Sequence, residues 1–396
     1  MIKTLDLNQN RLGERLYFFS LVLYLIVNFM AGTTFSRVYG LNTIVLFLRF
    51  SQFAAFLVLV KVFFLDQHDL KKLLVFGGGL TLLFVVCKQA RELDPFFITC
   101  FMLGAYKIAY QKILKTYLIT ELSLLFGVYG ATLLKLLPNN ILWREGEGIP
   151  RAGLGLASPS DLASHIFYVM LAYAIYRDFK LNRQELVYLS LIATLVFAVT
   201  NSRLDALLML LLLGMLRYQR YLFYFLKKIG ALKVSGAIMA YAGLDLLLTY
   251  AYAPMSPFYQ KLDILLSRRL FFGKIAFDNY PLRLFGQYIY QNGTGDPRGY
   301  AIYYFIDSAF IQALMMFGIV FFVGMLCLLG QLVKRSFQVQ AYSIVAALLL
   351  VVLSMAINHH FWSISYNILP LAACAQLGRR LKADRKELEQ NSRLDS

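Results

Sequence analysis

Apolar stretches of roughly 15 to 25 residues recur along nearly the whole chain, and short polar segments divide them. About 20 apolar residues carry a helix across the hydrocarbon core of a bilayer. The pattern therefore predicts membrane-spanning helices at 16–33, 41–64, 73–88, 93–110, 113–136, 161–177, 184–200, 204–219, 234–253, 301–330, 338–357 and 363–378. Strands of a membrane barrel would alternate with period two, and these stretches do not. The expected fold is all-α: a single polytopic helical membrane domain over 1–396 with about twelve transmembrane helices.

Composition agrees with the pattern. The 396 residues are 59% hydrophobic and 15% charged, well above the roughly 45–50% apolar share of a soluble chain. No small-residue cleavage site follows the first apolar segment, Tyr17 to Ala31, so it is expected to be a retained span. Cys87, Cys100, Cys327 and Cys374 all lie in apolar stretches without a CxxC spacing and read as buried thiols.

Lys and Arg set the orientation, because they collect on the cytoplasmic side. With the N-terminus inside, segments 1–15, 65–72, 107–115, 177–184, 217–233, 331–338 and 378–396 hold 24 basic residues, against 12 in the outer segments 34–40, 88–94, 137–160, 201–203, 254–300 and 358–362. Both termini, including the tail 379–396, are therefore expected in the cytoplasm. Most of the net charge of +17 has the same origin. Segment 217–233, RYQRYLFYFLKKIGALK, interleaves basic and aromatic residues as a helix lying along an anionic leaflet does. One short patch beside a span does not read as a nucleic-acid surface.

Two long segments, 138–160 and 254–300, interrupt the short loops, and both are extracytoplasmic in this topology. The second holds Lys261, Arg268, Arg269, Lys274, Arg283 and Arg298 against Asp263, Asp278 and Asp296. An outer loop with that excess runs against the topological trend, and a phosphate-bearing ligand would account for it. Arginine presents a planar fork of donors matched to phosphate oxygens. The competing reading is a solvated loop helix pairing with lipid headgroups. Arg203, at the outer mouth of a span, either snorkels or binds an anion. Asp307, His359 and His360 stand near the same interface, where a general base could meet a hydroxyl. Asp307 reads equally as a helix cap, and the histidines as interfacial polar residues beside Trp362. The outer loops carry no acidic pair of DxD type, so neither a metal nor another cofactor is expected. Glu121 and Asp245, within or near spans, are the groups a proton-coupled transporter could use.

The run SRRLFFGKIAFDNYPLRLFGQ, then YYFIDSAFIQALMMFGIVFF, resembles the pattern of Wzy-type polymerases of bacterial capsule, exopolysaccharide and O-antigen repeat units. GLGLASPSDLASHIFYVMLAY, NSRLDALLMLLLLG and INHHFWSISYNILPL are similar to further motifs of that family, in the same order, over roughly residues 150 to 370. Ser158, Pro159 and Ser160 stand where the family usually has a His-Pro-Asn cluster. Asp307 stands where the related O-antigen ligases carry a histidine. The resemblance implies a GT-C-like, metal-independent glycosyltransferase that joins oligosaccharide units carried on polyprenyl diphosphate and inverts the anomeric carbon. In that scheme Asp307, with His359 or His360 as second choice, is the base. Arg203, Arg268 and Arg269, with Lys274 and Arg283, hold the diphosphate. A flippase and a chain-length regulator are the implied partners, with membrane lipid around the chain. An O-antigen ligase, or a lipid-linked oligosaccharide flippase or transporter, is the alternative. The charge asymmetry makes a direct prediction: a periplasmically active reporter fused within 254–293 is active, and one fused after 233 is inactive. The reverse pattern would overturn the orientation.

Overall fold

In the computed structural model, residues 2–143, 148–293 and 303–377 are described. The tail 379–396, together with Asp296 and Arg298, lies outside them. The elements in chain order are α1 (Ile2–Ala31), α2 (Phe35–Tyr39), α3 (Leu41–Val60), α4 (Leu70–Ala90), α5 (Asp94–Gly104), α6 (Tyr110–Leu133), β1 (Ile141–Trp143) and β2 (Pro150–Ala152). They continue as α7 (Pro159–Tyr176), α8 (Arg183–Thr200), α9 (Arg203–Arg217), α10 (Gln219–Ile229), α11 (Ala231–Tyr250), α12 (Pro257–Leu265), α13 (Arg269–Asn279), α14 (Ala309–Met315), α15 (Ile319–Gln338) and α16 (Tyr342–Met355). The protein is mostly helical. One antiparallel ribbon, Ile141–Trp143 on Pro150–Ala152, interrupts the expected all-α character inside the loop 138–160.

Among the described residues, seven helices are long and apolar enough to cross a membrane: α1, α3 with its extension to Leu65, α4, α6, α8, α11 and α15. They form a sheath whose outward faces stay apolar. Phe53 and Phe56 on α3, Leu74 and Val75 on α4, and Leu207 and Leu210 on α9 are exposed. A continuous apolar surface of that kind suits lipid and not water. Inside the sheath, α7 and α16 are buried on almost every side. Such helices need no lipid-facing stripe, so α7 tolerates Ser164 and His165 among its buried residues.

The other expected crossings take different forms. Segment 93–110 contains only the eleven-residue α5. At 204–219 stands α9, which meets α10 at a bend of 89°, so α10 runs across the bundle and not along it. Its exposed Tyr221 and Tyr224 beside Lys227 and Lys228 suit an interfacial position. Segment 338–357 holds the short helix α16, and the described part of 363–378, up to residue 377, is not a helix at all but a packed irregular stretch of chain with one 3-10 turn at Leu369–Ala373. The expected span at 301–330 is divided. An extended segment through Asp307 leads to α14, and the crossing helix starts only at Ile319.

The division has a steric cause at Gly318, whose φ of 92° stops the helix behind it. A Cβ there would stand 2.5 Å from the Gly286 nitrogen and 2.6 Å from the Leu284 carbonyl oxygen. Gly286 also has positive φ, 84°, and a Cβ on it would sit 2.5 Å from the Met316 carbonyl oxygen. The turn Leu284–Gly286 thereby seats against the start of α15. The amides of Ile319 and Val320 donate to the carbonyls of Arg283 and Leu284 at 3.0 and 3.2 Å, and Gln287 donates to Met316 at 2.8 Å. Two of α15's first amides, which a helix leaves without internal partners, are satisfied this way. Gly318→Ala should destabilise the protein by at least about 1–3 kcal/mol from backbone strain alone. A lowered melting temperature of the purified variant in detergent checks this, and an unchanged one would remove the interlock.

Candidate functional site

Five chain segments come together at the end of the bundle that carries both long loops. They are the N-termini of α7 and α9, the start of α13, the extended run 303–308, and the turn 356–367 that follows α16. Ser158 caps α7 by accepting from the Asp161 amide at 3.1 Å, with Pro159 pre-set for the first turn. At α9, Ser202 donates to Asp205 at 2.6 Å, and Ser164 on α7 donates to the other Asp205 oxygen at 2.8 Å. Two hydroxyls thus fix a buried carboxylate between two helix starts. The ribbon is attached here as well, since Arg151 Nε donates to the Thr200 carbonyl at 2.7 Å.

Arg269 enters from α13. Its Nε donates to the Ile357 carbonyl at 3.1 Å and its Nη1 to that of Ser267 at 2.9 Å, while Nη2 lies 3.5 Å from Asp307 Oδ2. Two carbonyls hold the guanidinium, and the Asp307 contact is loose enough for a competing anion. Asp307 is not a cap: Ser308 caps α14 by accepting from the Ile311 amide at 3.3 Å and donates to Asp245 at 2.8 Å. Burial raises the Asp307 carboxyl above the ordinary carboxylate range, and Arg269 opposes that rise. Tyr303 beside it is pushed up to about 12, by burial first and then by Asp307. The charges of Asp161, Asp205 and Asp307 lie close enough to act on one another, and Arg269 and Arg151 are the cations that reach Asp205.

The histidines belong to the same neighbourhood. His359 packs against Phe305 at 4.8 Å and His360 at 4.5 Å between ring centroids. Burial, with Arg269 adding to it, lowers the His359 imidazole to about 4. It is therefore neutral at pH 7, and its Nδ1 makes no hydrogen bond among the described residues. His360 is pushed further down by burial, His359 and His165. Its ring stacks on Tyr366 at 3.7 Å, and Tyr366 stacks on His165 at 3.7 Å on its other side. His165 in turn stands 3.8 Å from Glu121, both essentially inaccessible at 1% and 0% of their side-chain surface.

Of the residues singled out in the sequence, Asp307, Arg269, His359 and His360 are brought together. Arg268 is exposed and in a left-handed conformation at φ 65°, and its charge acts on Tyr252. Lys274 pairs with Asp278 at 2.9 Å and donates to the Tyr250 carbonyl at 3.0 Å. Arg283 is exposed beside the Leu284–Gly286 turn, and Arg203 is exposed on the first turn of α9. The expected cationic site is thus a mixed one, with Asp307 in contact with Arg269 and Asp205 within its electrostatic reach. Asp161 and Asp205 were missed, although Ser158–Asp161 and Ser202–Asp205 repeat one Ser-x-x-Asp spacing that marks helix starts. No group of three or more His, Cys, Asp or Glu among the described residues is placed to hold a metal ion.

A cavity of about 530 Å³ lies at the opposite end of α7, lined by Arg177, Lys180, Arg220 and Phe223 among others. It contains none of these groups, so the chemistry of the half-buried cluster and not cavity size marks the site. No protein-family model, curated protein or solved structure matches this chain.

Protonating a histidine whose pKa is depressed by folding costs stability as the pH falls from its unfolded value to its folded one. For His359 that window runs from the ordinary histidine value of 6.5 down to about 4. His359→Gln should therefore melt progressively closer to, or above, the wild type as the pH is lowered through the window. Parallel melting curves at every pH would show that His359 is not held neutral.

Proposed function

We propose that the protein is a glycosyltransferase that polymerises polyprenyl-diphosphate-linked oligosaccharide repeat units at the outer face of a bacterial cytoplasmic membrane. The observation that carries this reading is the convergence of Arg269, Asp307 and His359 where both long loops meet, on the segments whose motifs resemble Wzy-type polymerases. In this reading both termini are cytoplasmic and the architecture is GT-C-like. The five expected crossings that are not long apolar helices, at 93–110, 161–177, 204–219, 338–357 and 363–378, form its interior and rim.

The donor is the growing glycan on its lipid diphosphate, and the acceptor is the terminal hydroxyl of a new lipid-linked unit. The acceptor oxygen attacks the anomeric carbon, and the bond from that carbon to the diphosphate oxygen breaks with inversion. Asp307 takes the hydroxyl proton. A carboxylate with a raised pKa holds that proton better than an ordinary one. Arg269, already fixed by two backbone carbonyls, meets the charge that develops on the leaving diphosphate without having to reorganise. Arg268, Arg203 and Arg283, which are exposed, and Lys274, which pairs with Asp278, serve as an outer field that draws in the anion. His359, neutral and with Nδ1 uncommitted, can accept a hydrogen bond from the acceptor.

A transporter of lipid-linked oligosaccharide remains the reading from another class, favoured by the buried Glu121–His165 pair within the helices. Intramembrane ionisable groups mark proton paths in such proteins. An O-antigen ligase would share the cationic site but transfer glycan without elongation.

Deleting the protein from its host should leave single lipid-linked repeat units and abolish long polymer. Asp307→Asn should reproduce that loss, with the rate of chain extension down by at least about 100-fold, and Arg269→Ala should do the same. Polymer that persists on its lipid carrier in the deletion strain would favour a ligase, and units trapped on the inner face a flippase. Full activity in Asp307→Asn would remove it as the base.

A further inference from the structure

A groove of about 450 Å³ runs between α3, α4 and α5, away from the Arg269 cluster. Phe56 and Leu59 of α3, Phe84 of α4 and Phe96 of α5 line it with hydrocarbon and aromatic rings, while Arg49 and Lys88 stand on facing walls. Its lining includes two cations and no carboxylate.

Arg49 is the unusual member. It lies eight residues into α3, about 12 Å along the helix axis, on an exposed face of a helix apolar enough to cross a membrane. Its guanidinium donates to Gln52 at 3.3 Å, and among the described residues it makes no ion pair. Lys88 likewise has no carboxylate partner and sits over the Phe84 ring at 5.9 Å. A cation at that depth costs several kcal/mol unless an anion meets it. Phosphate does so, and the adjoining apolar channel takes the chain attached to it. Two uncompensated cations match a diphosphate head better than the single charge of a phosphodiester lipid.

We infer that this groove docks the lipid carrier of the acceptor, with its diphosphate between Arg49 and Lys88 and its isoprenoid chain along Phe56, Leu59, Phe84 and Phe96. The inference rests on the polymerase reading, because such an enzyme handles two lipid diphosphates and only one of them is a leaving group. The other stays intact. It is separated from the reacting hydroxyl by the length of a repeat unit, so it needs its own site at a distance from Asp307. α4 joins the two places: its opposite face, with Val86, Cys87 and Ala90, packs on Ala276, Ile289, Met316 and Phe317 of the site-bearing segments.

The test is native mass spectrometry of the full chain in phosphatidylglycerol nanodiscs, titrated with a long-chain polyprenyl diphosphate. The wild type should retain two carriers, Arg49→Gln/Lys88→Gln one, and the folding control Arg49→Lys two. Arg269→Gln should also retain one, and combining it with the groove variant should abolish retention. Equal retention by the groove variant and the wild type would overturn the inference, as would displacement of the second carrier by phosphatidylglycerol. Two carriers bound and one lost on substitution, in a protein that joins no repeat units, would support the groove and sink the polymerase reading. Undiminished polymerisation with both carriers still bound in the groove variant would sink the groove alone.

Discussion

A carbonyl or amide buried away from water must find a partner inside the chain, and within a bilayer each failure costs several kcal/mol. The segment 356–377 meets this constraint without being a helix. Tyr117 on α6 donates to the carbonyl of Ser365 at 3.1 Å and to that of Tyr366 at 2.6 Å, and Tyr110 donates to Ile368 at 3.4 Å. Arg335 on α15 reaches the carbonyls of Ala373 and Ala375. Ser363 and Ser365 both donate to Asn28 on α1, at 3.0 and 2.6 Å. Three helices thus hold irregular chain in place deep in the bundle. Irregular backbone can project side chains in directions a helix cannot, and His359, His360 and Tyr366 depend on it.

The run 303–308 is held by the same means. Gln291 accepts from the Ile306 amide at 2.8 Å through its side-chain oxygen, and Gln312 donates to the Ile306 carbonyl at 2.7 Å. Asp307 sits next to that pair of bonds, so its backbone is fixed while its side chain faces Arg269. The guanidinium is itself tied to Ile357 in the other irregular segment. Backbone satisfaction and site geometry are therefore one arrangement. A loss of either glutamine would displace the carboxylate without touching it.

Electrostatically, the cluster is balanced and not simply positive. Asp307 and Asp205 both act on Arg269, with Arg151 also reaching Asp205, and Asp205 is already satisfied by Ser164 and Ser202. A partly neutralised arginine keeps its place in a low-dielectric site at lower cost than a bare one. The stacked column His360, Tyr366 and His165 extends from this cluster toward Glu121 and ties the turn to the buried helix α7.

The sequence by itself determined the solvent, because 59% hydrophobic residues in stretches of spanning length have no stable soluble arrangement. Two long segments and an excess of arginine that orientation does not explain also pointed to the end where Arg269, Asp307 and His359 converge. Charge excess is a property of composition, though, and it cannot tell neighbours apart. Only the tertiary structure decided that Arg269 turns inward while Arg268, one residue away, turns out, because the left-handed residue at the start of α13 splits their directions. Asp205, two residues from Arg203 and so off its helix face, gives no sign of its role along its own helix. Its partners come from α7 and α13. The span expected at 301–330 failed for a similar reason: hydropathy is continuous there, whereas the break at Gly318 depends on a contact with Gly286, 32 positions earlier in the chain. Local pattern fixes what a segment can be, and contacts between distant segments fix where its side chains point.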